Sequence, residues 1–266
     1  MKYIVGITTY YEDVKLSERV NLLDQLGYVV YIYDNSPDSK YSRAYLKNTK
    51  HVKYFTCGQN VGLAIAMSTI CAQAYYDSCD RVLFLDQDTL VSQQTLEFIQ
   101  KINKDFNFND YLAISFSNDN VDLIKINKNN IEDVMLIRNS GTLFNLHNLS
   151  KVNWFDTRFF IDGVDYEFSL KAKLNSLKIG LYKGVPDFDH ESEQGYESYL
   201  FFGQKIFYRK YSPSRIKDVI SSSMKLIVMA IKNVEPKYFI LIFKHAMIFL
   251  LLQALIRLSK KEKNEK

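Results

Sequence analysis

The chain has 266 residues, 47% of them hydrophobic and 24% charged, with only 10 Gly and 4 Pro. That composition excludes a disordered, collagen-like or linker-rich chain and points to a substantial buried core. Three cysteines, Cys57, Cys71 and Cys79, lack metal-ligand spacing and read as reduced thiols, which excludes a disulfide scaffold.

The net charge of +4 conceals a split. Residues 1–197 carry 20 Lys/Arg against 26 Asp/Glu, a balance of −6, while residues 198–266 carry 14 against 4, a balance of +10. An acidic body followed by a basic tail suggests two jobs in one chain. We therefore expect two units, 1–200 and 201–266.

The chain opens on Met1-Lys2-Tyr3-Ile4-Val5-Gly6-Ile7, a strand-like run without the apolar stretch and cleavage site of a signal peptide. Residues 3–8 read as a buried parallel strand. Leu16, Val20, Leu23 and Leu26 recur at helical spacing over 15–27, and Gly27 reads as the stop. Strands follow at 28–33, before the turn signal Asp34-Asn35-Ser36-Pro37, and at 51–55. Residues 60–76 read as a helix, 81–85 as a fourth strand ending in Asp86-Gln87-Asp88, and 92–103 as another helix. Beyond residue 110 the pattern loosens. Strand-like pieces at 112–116, 134–137 and 141–144 surround a polar hairpin or loop near 117–130, and a helix is expected from about Asp165 to Leu177.

Alternating strands and helices predict an open α/β sheet with flanking helices. Ligands of such sheets sit beyond the carboxyl ends of the strands. Thr8, Thr9, Asp34, Asn35, Asn60 and Asp86 all fall at or just past those ends.

Asp86 and Asp88 flank one residue after a strand, so both can reach one small region, where a hard divalent cation would take one or two carboxylates. A solvated turn is the plainer reading of this triplet. Asp162, Asp165 and Glu167 form a second acidic cluster beside an aromatic run. Burying carboxylates there needs partners. Asp165 or Glu167 suits a general base, or else caps the helix that starts there. His190 can ligate a metal or contact phosphate, or lie on the surface. Trp154 and Phe155 can stack on a sugar or acceptor, or pack in the core.

Six segments in order carry a resemblance: Ile7-Thr8-Thr9-Tyr10, Tyr33-Asp34-Asn35-Ser36, Asn60 to Ala66, Leu85-Asp86-Gln87-Asp88-Thr89, Asn139-Ser140-Gly141-Thr142-Leu143, and Phe159 to Phe168. Over roughly residues 3–195 the chain resembles inverting family 2 glycosyltransferases of the GT-A fold, and most of all the bacterial rhamnosyltransferases of O-antigen and capsule assembly. The resemblance implies a mixed sheet flanked by helices and a nucleotide-sugar donor, dTDP-rhamnose. It places Thr8, Thr9 and Tyr10 in the nucleotide pocket, Asp34 and Asn35 at the base, and Asn60 and Gly62 at the border of nucleotide and metal. Asp86 and Gln87 would serve the donor. Asp88 would hold Mg²⁺ or Mn²⁺, His190 would lie near the diphosphate, and Asp165 would be the catalytic base. Trp154, Asp162 and Glu167 would face sugar or acceptor. A UDP-sugar donor is the alternative. A haloacid-dehalogenase-like phosphatase fits less well, since Thr89 follows Asp88 directly and the pair sits on the fourth strand. A non-catalytic scaffold subunit also stays open.

Residues 238–258 are nearly long enough to span a bilayer, but Lys244, His245 and Gln253 interrupt them. With the basic tail, this predicts helices lying on an anionic membrane surface through residues 215–266. A homo-oligomer contact is the second reading. Such a tail suits an acceptor carried on a polyprenyl diphosphate and a cytoplasmic enzyme peripheral to the inner face of the plasma membrane. No groove-reading motif supports a nucleic-acid partner.

Overall fold

The computed structural model describes residues 2–11, 14–37, 49–117, 131–183, 185, 188–190, 197–201, 204–258 and 260–261. The chain divides into two compact units, Met1–His190 and Glu191–Lys266.

The first unit is a mixed α/β layer structure. Its strands are β1 (Tyr3–Thr9), β2 (Val30–Asp34), β3 (Val52–Thr56), β4 (Arg81–Asp86), β5 (Thr89–Val91), β6 (Tyr111–Ser117), β7 (Ile131–Asp133), β8 (Thr142–Asn145), β9 (Lys178–Lys183) and β10 (Phe188–His190). Its helices are α1 (Val14–Gln25), α2 (Leu63–Tyr76), α3 (Gln93–Asp105), α4 (Leu146–Lys151) and α5 (Val164–Leu174). Eight strands form one sheet in the order β3-β2-β1-β4-β8-β6-β9-β7. β1 to β4 are mutually parallel, and β8 runs antiparallel between β4 and β6. β5 and β10 pair separately.

The parallel strands form where the sequence offers short apolar β-branched runs, because both faces are covered. Val5, Ile7, Val30, Ile32, Leu83 and Leu85 join one core with Leu16, Val20 and Leu23 of α1 and Leu96 and Ile99 of α3. α3 starts cleanly because the Ser92 side chain accepts a hydrogen bond from the Thr95 amide at 3.1 Å.

Two expectations are corrected. The edge strand is β7 at Ile131–Asp133, and 134–137 is not a strand. Ile137 is instead buried in irregular backbone that runs to the β8 turn. The helix from Asp165 stops at Leu174, with Asn175 as C-cap, because the chain must turn back to lay β9 parallel to β6. β5 and α4 were not foreseen. The predicted hairpin near 117–130 lies, from 118 on, outside the described residues.

The second unit contains β11 (Glu197–Phe201), β12 (Gln204–Tyr208) and β13 (Lys260–Lys261) in one antiparallel sheet. It also contains two long helices, α6 (Pro213–Lys232) and α7 (Pro236–Leu258).

Candidate active site

Register alone brings the carboxyl ends of β1 to β4 into one row. Thr8 lies opposite Asp86, Thr9 opposite Asp34, and Asp34 opposite Thr56.

Asp34 is nearly buried and oriented from two sides. Its Oδ1 accepts from the Ser36 amide at 2.8 Å, and its Oδ2 accepts from the Tyr54 hydroxyl at 2.5 Å. Tyr54 was not among the candidates, although its place on β3, two residues before the strand's end, was a usable signal. A hydrogen bond to a charged group contributes about 1.5–3 kcal/mol. Tyr54→Phe is therefore expected to lower the unfolding free energy by about 1–2 kcal/mol in urea titration. An unchanged midpoint would mean that this bond is not formed in solution.

Asn35 ties β2 to the start of α2. Its Oδ1 accepts from the Val61 amide at 3.1 Å, and its Nδ2 donates to the Gly62 carbonyl at 3.3 Å. Asn60 Oδ1 accepts from the Gly62 amide at 3.0 Å. Gly62 sits at φ 88°, where a Cβ would lie 2.5 Å from the Phe160 carbonyl oxygen. That carbonyl accepts from the Leu63 amide at 2.5 Å, so α2 begins against the segment that leads into α5.

The Asp86-Gln87-Asp88 turn follows β4. Gln87 Oε1 accepts from Thr9 Oγ1 at 3.0 Å and from the Tyr10 amide at 2.8 Å, which joins this turn to the end of β1. Tyr10 itself is exposed and meets Tyr11 edge-on. Asp86 is held from the β8 side: its amide donates to Ser140 Oγ at 3.1 Å. Its Oδ1 accepts from Asn139 Nδ2 at 3.4 Å. The Asn139 amide donates to Asp165 Oδ1 at 3.0 Å. One asparagine thus connects a carboxylate at the end of β4 with a carboxylate in the first turn of α5. Asn139 and Ser140 stood in a recognised segment but carried no assigned role.

Burial, and next the nearby Asp86 carboxylate, push the Asp165 carboxyl up to about 7. The Asn139 amide and Arg138 oppose that shift, and Asp162 adds to it. The second acidic cluster therefore divides. Asp162 lies near Asp165, but Glu167 is fully buried and ion-pairs with Lys171 at 2.6 Å. Lys171 also donates to the Trp154 carbonyl at 3.0 Å. The indole of Trp154 packs edge-on against Tyr75. Tyr75 lies twelve residues along α2 from Leu63, about 18 Å at 1.5 Å per residue. Among the described residues, Trp154 and Glu167 are thus tied to Tyr75 and Lys171 and not to the Asp86–Asn139–Asp165 chain. The i,i+4 spacing of Glu167 and Lys171 was a signal for their pairing.

Asp88 is half-buried, and among the described residues its side chain makes no hydrogen bond or ion pair. The described residues contain no cluster of three or more His, Cys, Asp or Glu that could hold a metal. His190 pairs through its backbone with Thr89, beside the acidic turn. Its side chain lies outside the described residues.

Residues 4–164 match the family described as Glycosyl transferase family 2. The chain belongs to that family, and its fold is of the GT-A kind. No curated protein sequence matches it. Among solved structures, S. aureus TarS superposes with a TM-score of 0.53 at 17% identity, over 85% of this chain and 40% of that one. A TarS 1-349 structure in complex with UDP-GlcNAc gives 0.52 at 16% identity, over 85% and 67%. GalNAc-T7 with UDP, GalNAc and Mn²⁺ gives 0.52 at 13%, over 68% and 42%. The chain thus spans less than half the length of TarS.

Proposed function

We propose that the protein is an inverting glycosyltransferase that moves L-rhamnose from dTDP-rhamnose onto a hydroxyl of a lipid-linked polysaccharide. The observation that carries the reading is the pair Asp86 and Asp165, joined through Asn139 at the open ends of the strands.

Asp165 takes the proton of the acceptor hydroxyl as that oxygen attacks the anomeric carbon. The bond to the diphosphate breaks on the opposite face, so the configuration inverts. A base with a pKa near neutrality suits this step. Asp34, held by Tyr54 and Ser36, accepts from the imide of the nucleotide base, with Asn35, Asn60, Gly62, Thr8, Thr9 and Tyr10 around it. Asp86 and Gln87 border the donor sugar.

A Mg²⁺ or Mn²⁺ ion fits the residues present. Asp88 offers a hard oxygen ligand with no competing partner among the described residues, and such ions commonly take one or two carboxylates, leaving the rest to phosphate and water. Asp88 would hold it, and the ion would neutralise charge on the departing diphosphate. His190 is the second candidate ligand.

A UDP-sugar donor is the competing reading, supported by the UDP and UDP-GlcNAc in the TarS and GalNAc-T7 structures. Thermal-shift titration with dTDP-rhamnose, UDP-glucose, UDP-galactose and UDP-N-acetylhexosamines separates the two. We expect the largest rise with dTDP-rhamnose plus Mn²⁺, and Asp88→Asn to lose the Mn²⁺-dependent part. A rise confined to a UDP-sugar replaces the donor, and no rise with any of them overturns the nucleotide-sugar reading.

A further inference from the structure

The second unit carries an exposed apolar surface that includes none of the candidate site residues. On α6, Ile220, Met224, Val228 and Ile231 recur at helical spacing on one face, and all are exposed, Met224 by 63%. The opposite face, Ser222, Leu226 and Ala230, is buried. Lys225 and Lys232 run along one edge of the apolar strip, and Lys217 precedes it.

α7 differs in being apolar on both its sides. It buries Tyr238, Ile242, Gln253 and Ile256. Its other side presents Ile240, Phe243, Met247, Leu251 and Leu258, the last two exposed by 57% and 79%. A helix whose outer side is this apolar needs a cover other than water.

Length and composition would let α7 cross a bilayer. Two features oppose that. Lys244 and His245 are exposed near the middle of the helix, where hydrocarbon disfavours charge. In addition, the last turns of α7 are clamped to the chain just before α6. Gln253 accepts from the Tyr211 amide at 3.1 Å and donates to the Arg209 carbonyl at 2.9 Å. Arg257 donates to Gln253 Oε1 at 2.8 Å and to the Tyr211 carbonyl at 2.7 Å. If α7 crossed alone it would lose its bonds to Arg209 and Tyr211, and if it crossed together with α6 it would carry Lys217, Asp218 and Lys225 into hydrocarbon.

We propose that the α6–α7 hairpin lies flat in one leaflet of an anionic bilayer, its apolar strips in the acyl region and its lysines at the headgroups. Charge complementarity selects the partner, since residues 198–266 carry a balance of +10. Amphipathic helices with basic edges bind anionic lipid by these two contributions together. This inference does not depend on the glycosyltransferase reading.

The test is flotation of the full chain with vesicles of mixed phosphatidylcholine and phosphatidylglycerol, against vesicles of phosphatidylcholine alone. Binding is expected to the mixed vesicles only. Replacing Lys217, Lys225 and Lys232 by Ala should cut it roughly a hundredfold. Met224→Glu with Ile231→Glu should abolish it while circular dichroism and melting temperature stay unchanged, since both side chains are exposed. Alkaline carbonate should release the bound protein. Failure to float, undiminished binding by the Glu variant, or resistance to carbonate overturns the proposal. So does sedimentation showing a dimer that the Glu variant splits, with no vesicle binding, because a second copy is then the cover.

Discussion

Asp165→Asn abolishes turnover and, in the same molecule, raises the melting temperature at pH 8. The first half follows from removing the proton acceptor, a loss of roughly 10²–10⁴-fold or more. The second follows from what Asp165 costs the fold. Its ordinary pKa is 3.8, and burial beside the Asp86 carboxylate raises it to about 7. Between those values the folded chain holds a proton that the unfolded chain has released. Stability is therefore full below about pH 4 and falls as pH rises, until Asp165 is ionised above about 7.

An asparagine cannot ionise, yet its Oδ1 can still accept from the Asn139 amide. The variant's advantage is absent at pH 4 and complete above pH 7. A shift of this size is worth roughly 4 kcal/mol, and solvent reaching the carboxylate trims it to about 2–4. That corresponds to a rise of roughly 5–10 °C for a unit of this size. The melts are run in chelator, since a bound cation would stabilise the carboxylate and mask the effect. Activity of the wild type should fall as pH drops through about 7. Full turnover in the variant would remove Asp165 as the base, and equal melting temperatures at pH 8 would show the carboxylate to be solvated.

Gly62→Ala is the second large effect. Alanine at φ 88° is strained, and its Cβ would stand 2.5 Å from the Phe160 carbonyl oxygen and 2.7 Å from the Phe160 ring. Neither can yield cheaply. The carbonyl is bonded to the Leu63 amide, and Gly62 is bonded through both its amide and its carbonyl to Asn60 and Asn35. Strain and overpacking together cost on the order of 3 kcal/mol. Gly27 is the control. It sits at φ 78° with nothing within 4 Å of its Cβ position, so Gly27→Ala should cost only about 1 kcal/mol. Denaturant midpoints for the two variants check this. Similar losses at both sites would mean that the Phe160 contact relaxes freely. Displacing the Phe160 segment should also weaken donor binding in the Gly62→Ala variant, because it moves Asn35 and Asn60 together.

Much of the first unit was legible along the chain. β1, β2 and β4 are nearly continuous apolar runs, as buried parallel strands must be, and each ends on candidate site residues, while β3 is the half-exposed edge strand. Where the pattern was weak, the reading slipped. β7 has one half-buried residue, Ile131, beside Glu132 and Asp133, so its alternation is too short to stand out from the apolar stretch after it. β9 begins four residues after α5 ends, and Leu174 and Leu177, three residues apart across that junction, read equally well as more helix.

The sequence by itself determined the alternating α/β order, the row of polar residues at the strand ends, the membership of both acidic clusters and the charge asymmetry of the tail. These are local properties, written in the period of apolar residues and in turn chemistry. Only the tertiary structure decided which carboxylates meet. Asn139 lies 53 residues from Asp86 and 26 from Asp165, and no spacing rule couples such distant positions. It likewise parted Asp165 from Glu167. Two residues along a helix is a rotation of about 200°, which turns one side chain toward Asp86 and the other into the interior against Lys171.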